Sequence, residues 1–258
     1  MVSLPKSDPE LHFTASGAGD IAIICIHGWG CEGGQFAGLA QDLSRDFRVF
    51  CPDLPGHGQT PLGALVPGWK DYAEVIAAFA ERRALRSPVL LGHSMGGLLS
   101  LVAAAATGIK PRAVINLDGG LPAAEKTLAG QRLIRSWLAQ SDFQERFARM
   151  SREVLFLPAE RDAQCDAIVR TMCAAPEPVL RFLPERMEEL DARQILPKIN
   201  CPVLYVGSAA PRFDPAQARA ILPGLRCEQI PGAGHFLQVY AEREVSAMVR
   251  NFLDLGPR

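Results

Sequence analysis

The feature that most constrains this chain is a regular alternation of short apolar runs with amphipathic segments. Seven runs are typical of strands, and most of them are continuously apolar: Leu11–Ala15, Ile21–Ile26, Phe47–Cys51, Val89–Leu91, Ala113–Leu117, Val203–Val206 and Arg226–Ile230. Five helical patterns separate most of them: 34–45, 69–83, 95–107, 215–222 and 242–253. Because continuously apolar strands are typical of sheets that helices cover on both faces, the pattern predicts an α/β fold with a doubly wound, mostly parallel sheet.

The alternation stops over residues 120–196. This stretch carries three or four helical patterns that are punctuated by prolines at positions 158, 176, 178 and 184. Aromatic and methionine side chains are interleaved with charged ones throughout it, which is typical of helices that pack on a larger body. The sequence therefore predicts a core domain of residues 1–119 and 197–258 and a helical cap of residues 120–196, which would roof the carboxyl ends of the strands.

A serine between glycines follows the fourth predicted strand. The segment Gly92-His93-Ser94-Met95-Gly96-Gly97 links the apolar run 88–91 to a helix rich in leucine and alanine. A strand-to-helix turn this tight brings backbone segments so close that a Cβ at Gly92 or Gly96 would collide. In this context the pattern indicates a nucleophile elbow, with Ser94 as the catalytic nucleophile.

A serine nucleophile needs a base, which is usually a histidine, and an acid that orients this base. Of the five histidines, His235 is the best placed, in a glycine-rich loop between the last predicted strand and the last helix. We expect His235 to be the catalytic base.

The order of these motifs resembles the α/β-hydrolase superfamily over nearly the whole chain. The resemblance is carried by His27-Gly28-Trp29-Gly30, Asp53-Leu54-Pro55-Gly56-His57-Gly58, the segment around Ser94 and Gly234-His235. It implies that the backbone N–H groups of Trp29 and Met95 form an oxyanion hole. It also implies that the remaining histidines of these motifs and Asp53 bond loops together rather than transfer protons.

The position of the catalytic acid in this sequence departs from the usual family pattern. Members commonly carry it three residues after the glycine that ends the penultimate strand, where this chain has Ala210. Other members place the acid after the strand that follows the nucleophile helix, and Asp118 occupies that position. We expect Asp118 to be the acid, and Asp214, which a shifted loop could bring to the histidine, is the alternative.

These residues predict a serine hydrolase that cleaves a small ester, thioester or lactone through an acyl-enzyme on Ser94, with no metal and no organic cofactor. The resemblance also extends to cofactor-free dioxygenases of hydroxyquinolone-type heterocycles and to enzymes that hydrolyse carbon–carbon bonds. A receptor that keeps the triad but turns over slowly is a third alternative. A serine at the elbow argues against haloalkane dehalogenase and epoxide hydrolase chemistry, which needs a carboxylate nucleophile.

The composition indicates which kinds of molecule this chain binds. The chain of 258 residues has 27 basic and 28 acidic side chains, a formal net charge of -1 and no long run of one sign. We therefore expect a small-molecule substrate with an apolar acyl or aromatic part, and neither nucleic acid nor a membrane as partner. No signal-type or membrane-spanning apolar stretch is present, which predicts a cytoplasmic protein, and the pattern leaves the oligomeric state open.

Overall fold

The sheet of the computed structural model has seven strands, and six of them run parallel. The structure describes residues 10–63, 68–121, 125–138, 140–209, 213 and 215–254. The strands are β1 (Phe13–Ser16), β2 (Ala22–Ile26), β3 (Arg48–Pro52), β4 (Val89–His93), β5 (Ala113–Leu117), β6 (Val203–Gly207) and β7 (Leu225–Gln229). Their order is β1-β3-β2-β4-β5-β6-β7, with β1 antiparallel to β3 at one edge. The predicted doubly wound α/β sheet is confirmed, and the strand bounds differ from the predicted ones by no more than two residues.

Helices cover both faces of this sheet. They are α1 (Ala37–Leu43), α2 (Trp69–Arg82), α3 (Met95–Ala106), α9 (Pro215–Ile221) and α11 (Glu242–Phe252), together with the short α10 (Leu237–Tyr240), which the sequence did not predict. Helices α2 and α3 pack together on one face, and α1 and α11 on the other. Neighbouring residues of one strand therefore enter opposite cores, as Ile23 and Ile24 of β2 do, each with no exposed surface. Burying a side chain of this size contributes about 1.5–3 kcal/mol.

A helical segment lies between β5 and β6. It contains α4 (Glu125–Trp137), α5 (Phe143–Leu155), α6 (Ala163–Ala174), α7 (Glu177–Arg186) and α8 (Ala192–Ile195), and we call these helices and their connections the insertion. We predicted from the sequence that Pro184 separates two helices, whereas the structure places it inside α7. A proline removes only one backbone donor, and α7 ends two residues later in any case.

The parallel order places several loops at one edge of the sheet. The chain leaves β4, β5 and β7 in the same direction, so the segments that follow these three strands meet at their carboxyl ends. This edge is where ligands bind in open α/β sheets. Among the described residues, no helix is both long enough and apolar enough to cross a membrane.

Candidate active site

The turn that carries Ser94 is held in a strained conformation. Ser94 lies between β4 and α3 with φ +53° and ψ −116°, in a region that side-chain-bearing residues rarely adopt. Such a conformation costs on the order of 1–3 kcal/mol and persists only where the surroundings enforce it. The Ser94 amide donates to the carbonyl of Leu117 at 2.9 Å, which ties the turn to the end of β5.

Glycines make this turn possible. A Cβ at Gly92 would overlap the carbonyl oxygen of Gly96, and a Cβ at Gly96 would overlap the carbonyl oxygen of Ile26 in the neighbouring strand. Since both obstacles are backbone atoms, neither can move aside at low cost. The close approach that the sequence predicted for Gly92 and Gly96 is what the structure has.

Asp118 and His235 are bonded to each other. Asp118 follows β5 and is 1% exposed, and its Oδ2 accepts a hydrogen bond of 2.7 Å from Nδ1 of His235, which is 6% exposed. The other carboxylate oxygen, Oδ1, accepts from the Tyr205 hydroxyl and the Ser208 amide, each at 3.0 Å. The carboxylate is thus fixed from both sides and holds the proton of His235 on Nδ1.

Sequence reasoning did not identify Tyr205 and Ser208 as partners of Asp118. Their signal lies in the sheet order, because β6 pairs in parallel with β5 and Asn116 stands opposite Tyr205. Once β6 is known to pair with β5, the residues near the carboxyl end of β6 are expected to lie beside Asp118. The alternative acid, Asp214, lies outside the described residues.

The loop of His235 is anchored to the insertion as well as to the sheet. The His235 amide donates to the carbonyl of Leu155 at 3.0 Å, and the Gly234 amide donates to Oε1 of Glu160 at 2.8 Å. Glu160 is 7% exposed, and its Oε2 accepts from the Leu157 amide at 2.9 Å. The His235 carbonyl in turn accepts from Nε2 of His93 at 2.9 Å. Nothing in the sequence pattern signals the Glu160 contact, because it joins segments far apart in the chain.

Ser94, Asp118 and His235 line one cavity of about 320 Å³. Trp29 and Met95 line it too, and within the described part of the chain neither of their amides donates to another protein group. Trp29 is held in place through its ring, because Nε1 donates to the carbonyl of Val179 in α7 at 2.7 Å. Two free amides beside a serine are suited to hold a negatively charged oxygen.

The insertion contributes an apolar wall to this cavity. Its members include Ile134 of α4, Phe147 and Val154 of α5, Met172 of α6 and Leu183 of α7. A cavity with apolar walls and a few convergent polar groups is the usual form of a small-molecule site. No group of three or more histidine, cysteine or acidic side chains that could hold a metal ion occurs among the described residues.

Cys31 also lines this cavity but is unsuited to act as a nucleophile. Burial raises the pKa of its thiol to about 12, and Sγ is 3.4 Å from the carbonyl of Trp29. A thiol attacks only as the thiolate, so Cys31 stays unreactive near neutral pH.

The other motif residues bond loops together, as the resemblance implied. His27 donates from Nδ1 to the carbonyl of Gly28 at 2.9 Å and accepts at Nε2 from the Leu54 amide at 3.0 Å. Oδ1 of Asp53 accepts from the Gly33 amide at 2.7 Å, and Oδ2 accepts from the Gln59 amide at 2.9 Å. His57 donates from Nδ1 to the carbonyl of Pro55 at 3.1 Å.

His27 and His57 should make the fold acid-sensitive. Burial lowers the pKa of both side chains, that of His57 to about 3. Below about pH 6.5 the unfolded chain binds more protons at these two histidines than the folded chain does, so the free energy of unfolding falls as the pH is lowered, and His57 alone contributes a slope that approaches about 1.4 kcal/mol per pH unit. We expect urea unfolding between pH 7.5 and 5 to show this slope in the wild type and a smaller slope in His57→Gln. Equal slopes in the two proteins would contradict the assignment.

Comparisons with known proteins agree with this architecture. The model of the alpha/beta hydrolase family matches residues 23–248. A pimeloyl-[acyl-carrier protein] methyl ester esterase from Xanthomonas oryzae pv. oryzae is 28% identical over 96% of this chain and 100% of its own length. The esterase of the same name from Neisseria meningitidis serogroup C is 26% identical over 90% of this chain and 93% of its own.

Solved structures share the fold at lower identity. A thermophilic esterase from Thermogutta terrifontis superimposes with a TM-score of 0.83 at 22% identity, over 98% of this chain and 96% of its own. The enol-lactonase from Burkholderia xenovorans LB400 gives 0.81 at 19% identity, over 95% of this chain and 97% of its own. At such identities a structural match speaks for the fold alone.

Proposed function

Because this chain belongs to the alpha/beta hydrolase family, we propose that it is a serine hydrolase that cleaves a small carboxylic ester. The observation that carries the proposal is the buried hydrogen bond of 2.7 Å between His235 and Asp118, beside a cavity that Ser94 also lines. The curated relatives, named as methyl ester esterases, support the same bond type. Thioesters and lactones react through the same acyl chemistry and remain within the proposal.

The proposed reaction begins at Ser94. Its hydroxyl attacks the acyl carbon while Nε2 of His235 takes the hydroxyl proton, since Nδ1 is engaged by Asp118. The imidazolium that forms is stabilised by the buried carboxylate and then delivers the proton to the leaving alcohol. Water, activated by the same histidine, attacks the acyl-enzyme and releases the acid.

We propose that the amides of Trp29 and Met95 stabilise the oxyanion of the tetrahedral intermediate. Both face the cavity and lack protein acceptors among the described residues, so they are available when the charge develops. Removing one such donor typically lowers kcat by about 100-fold to 1,000-fold. The link from the Trp29 ring to α7 supports this role, because it restricts the loop that presents the amide.

We further propose that residues 120–196 act as the cap predicted from the sequence and select the substrate. The apolar side chains of α4, α5, α6 and α7 line the same cavity as Ser94, which suits an apolar acyl part. Such a wall also excludes water from the ester during attack.

A panel of substrates tests the proposed function. We expect methyl and p-nitrophenyl esters of apolar acids to be hydrolysed, and the panel includes the pimeloyl-[acyl-carrier protein] methyl ester after which the relatives are named. Lactones and hydroxyquinolones complete the set, and an oxygen electrode runs alongside the measurement of acid release. Oxygen consumption with a hydroxyquinolone, with no acid released from any ester, thioester or lactone, would overturn the proposal in favour of the dioxygenase alternative.

A further inference from the structure

Two polar groups interrupt the apolar wall that the insertion gives to the cavity. Gln131 of α4 and Ser151 of α5 both line it, among side chains such as Ile134, Met150 and Val154. Oε1 of Gln131 and Oγ of Ser151 are buried atoms that have no hydrogen-bond partner among the residues that the structure describes. Buried polar atoms are nearly always paired, so an exception at a ligand cavity calls for an explanation.

Ser151 differs from other serines in the helices of this protein. A serine inside a helix commonly donates to a carbonyl three or four residues earlier, and Ser100, Ser136 and Ser246 do so at 2.8, 2.7 and 3.0 Å. Ser151 is fully buried, yet its hydroxyl does not make this bond. The group is left able both to donate to and to accept from a molecule in the cavity.

The chemistry of the wall restricts what such a molecule carries. No lysine or arginine is among the described residues that line the cavity, so a carboxylate or phosphate placed against this wall would lose its hydration without gaining a cation. A hydroxyl suits either of these atoms, because it can donate to Oε1 of Gln131 or accept from the Ser151 hydroxyl. An alkyl chain would leave both of them unpaired.

We propose that Gln131 and Ser151 form a subsite for an uncharged hydroxyl group on the acyl chain of the ester. This inference rests on the proposed function, since it assigns the substrate class of the same site: hydroxylated aliphatic esters rather than simple alkyl or dicarboxylic ones. Discrimination of this kind arises because a site built to bond a hydroxyl is penalised when the ligand lacks it.

Matched methyl esters test the subsite. Wild-type protein is assayed by acid release with hexanoate and octanoate esters, with their ω-hydroxy analogues, and with analogues that end in a carboxylate. At one of the two chain lengths we expect kcat/KM to be about 10-fold higher for the hydroxy ester than for the alkyl ester, with the carboxylate ester the poorest. In Ser151→Ala and Gln131→Leu the ratio of kcat/KM for the hydroxy ester to kcat/KM for the alkyl ester should fall to about 1.

Two controls separate the subsite from a structural role. Ser136→Ala removes a helix serine that is exposed and does not line the cavity, so it should leave the preference intact. The thermal midpoint of Ser151→Ala should equal or exceed that of the wild type, because the substitution removes a buried group that no described residue bonds. A lowered midpoint with unchanged substrate preference would assign Ser151 to structure and overturn the proposal.

Binding measurements on an inactive variant test the subsite independently of catalysis. Calorimetry on Ser94→Ala should give about a 10-fold lower Kd for the preferred ω-hydroxy ester than for its alkyl analogue, and adding Ser151→Ala should cancel the difference. Hydrolysis of both esters without preference, and equal binding, would overturn the subsite while the hydrolase assignment stands. Selective binding of the hydroxy ester without any hydrolysis would support the subsite and overturn the hydrolase assignment.

Discussion

Replacing Ser94 with alanine should abolish ester hydrolysis, with a loss in kcat on the order of a million-fold. The reason is that the other hydroxyl and thiol of the cavity lining are not activated. Ser151 has no base hydrogen-bonded to it among the described residues, and burial raises the pKa of the Cys31 thiol to about 12. Turnover with the best ester of the panel, measured on protein purified from a host without background esterase, checks this result.

The serine variant should keep its fold. Alanine has the same Cβ as serine, so the left-handed φ of +53° at position 94 is no more strained than before. The amide bond to Leu117 is also independent of the side chain. The thermal midpoint should therefore stay at the wild-type value. A folded Ser94→Ala protein that retains more than about a thousandth of the wild-type rate would remove Ser94 from the mechanism, because catalysis by the remaining groups is expected to be far weaker.

Asp118→Asn should lower kcat by about 10,000-fold while leaving the protein folded. The Ser208 amide can only donate and so requires an oxygen at the Oδ1 position, which orients the asparagine with its NH₂ group toward His235, while the Tyr205 hydroxyl can keep its bond to that oxygen. Nδ1 of His235 must then accept, and its proton moves to Nε2, where the histidine can no longer take a proton from Ser94. Asparagine is the appropriate variant because it tolerates the left-handed φ of +52° at this position.

The matched control is Asp214→Asn, which tests the alternative acid. If Asp118 is the orienting carboxylate, Asp214→Asn should lose far less activity than Asp118→Asn, with kcat and KM measured separately for both variants. A larger loss in Asp214→Asn would transfer the role to that residue. Tyr205→Phe supplies an intermediate case, because it removes one of the donors that fix the carboxylate but keeps the bond to His235.

The architecture was predictable because its signals are local. Strands covered by helices on both faces are mostly apolar, and each of the seven predicted runs coincides with a strand, including the edge strands β1 and β7, which carry polar residues. The elbow was predictable for a similar reason, since only glycine fits at Gly92 and Gly96. Pro184 was misinterpreted because a proline in the last turn of a helix leaves the same pattern as one that breaks it.

The site was only partly predictable because its remaining members depend on which strands become neighbours. The positions of Asp118 and His235 at strand ends made them candidates, and their roles remain proposals for mutagenesis. Tyr205, Glu160 and Gln131 carry no sequence signal of this kind. The role of each depends on a contact between segments that are distant in the chain. Such contacts are set by tertiary packing and not by a periodic sequence pattern.

Two hydrogen bonds join the His235 loop to the insertion, so the position of the imidazole depends on the position of the insertion. The amides of Gly234 and His235 are satisfied by Glu160 and by the carbonyl of Leu155, so swinging the insertion outward must first break both bonds. The backbone that presents the imidazole is therefore held by the insertion as much as by the sheet, and any displacement of the insertion would release that backbone.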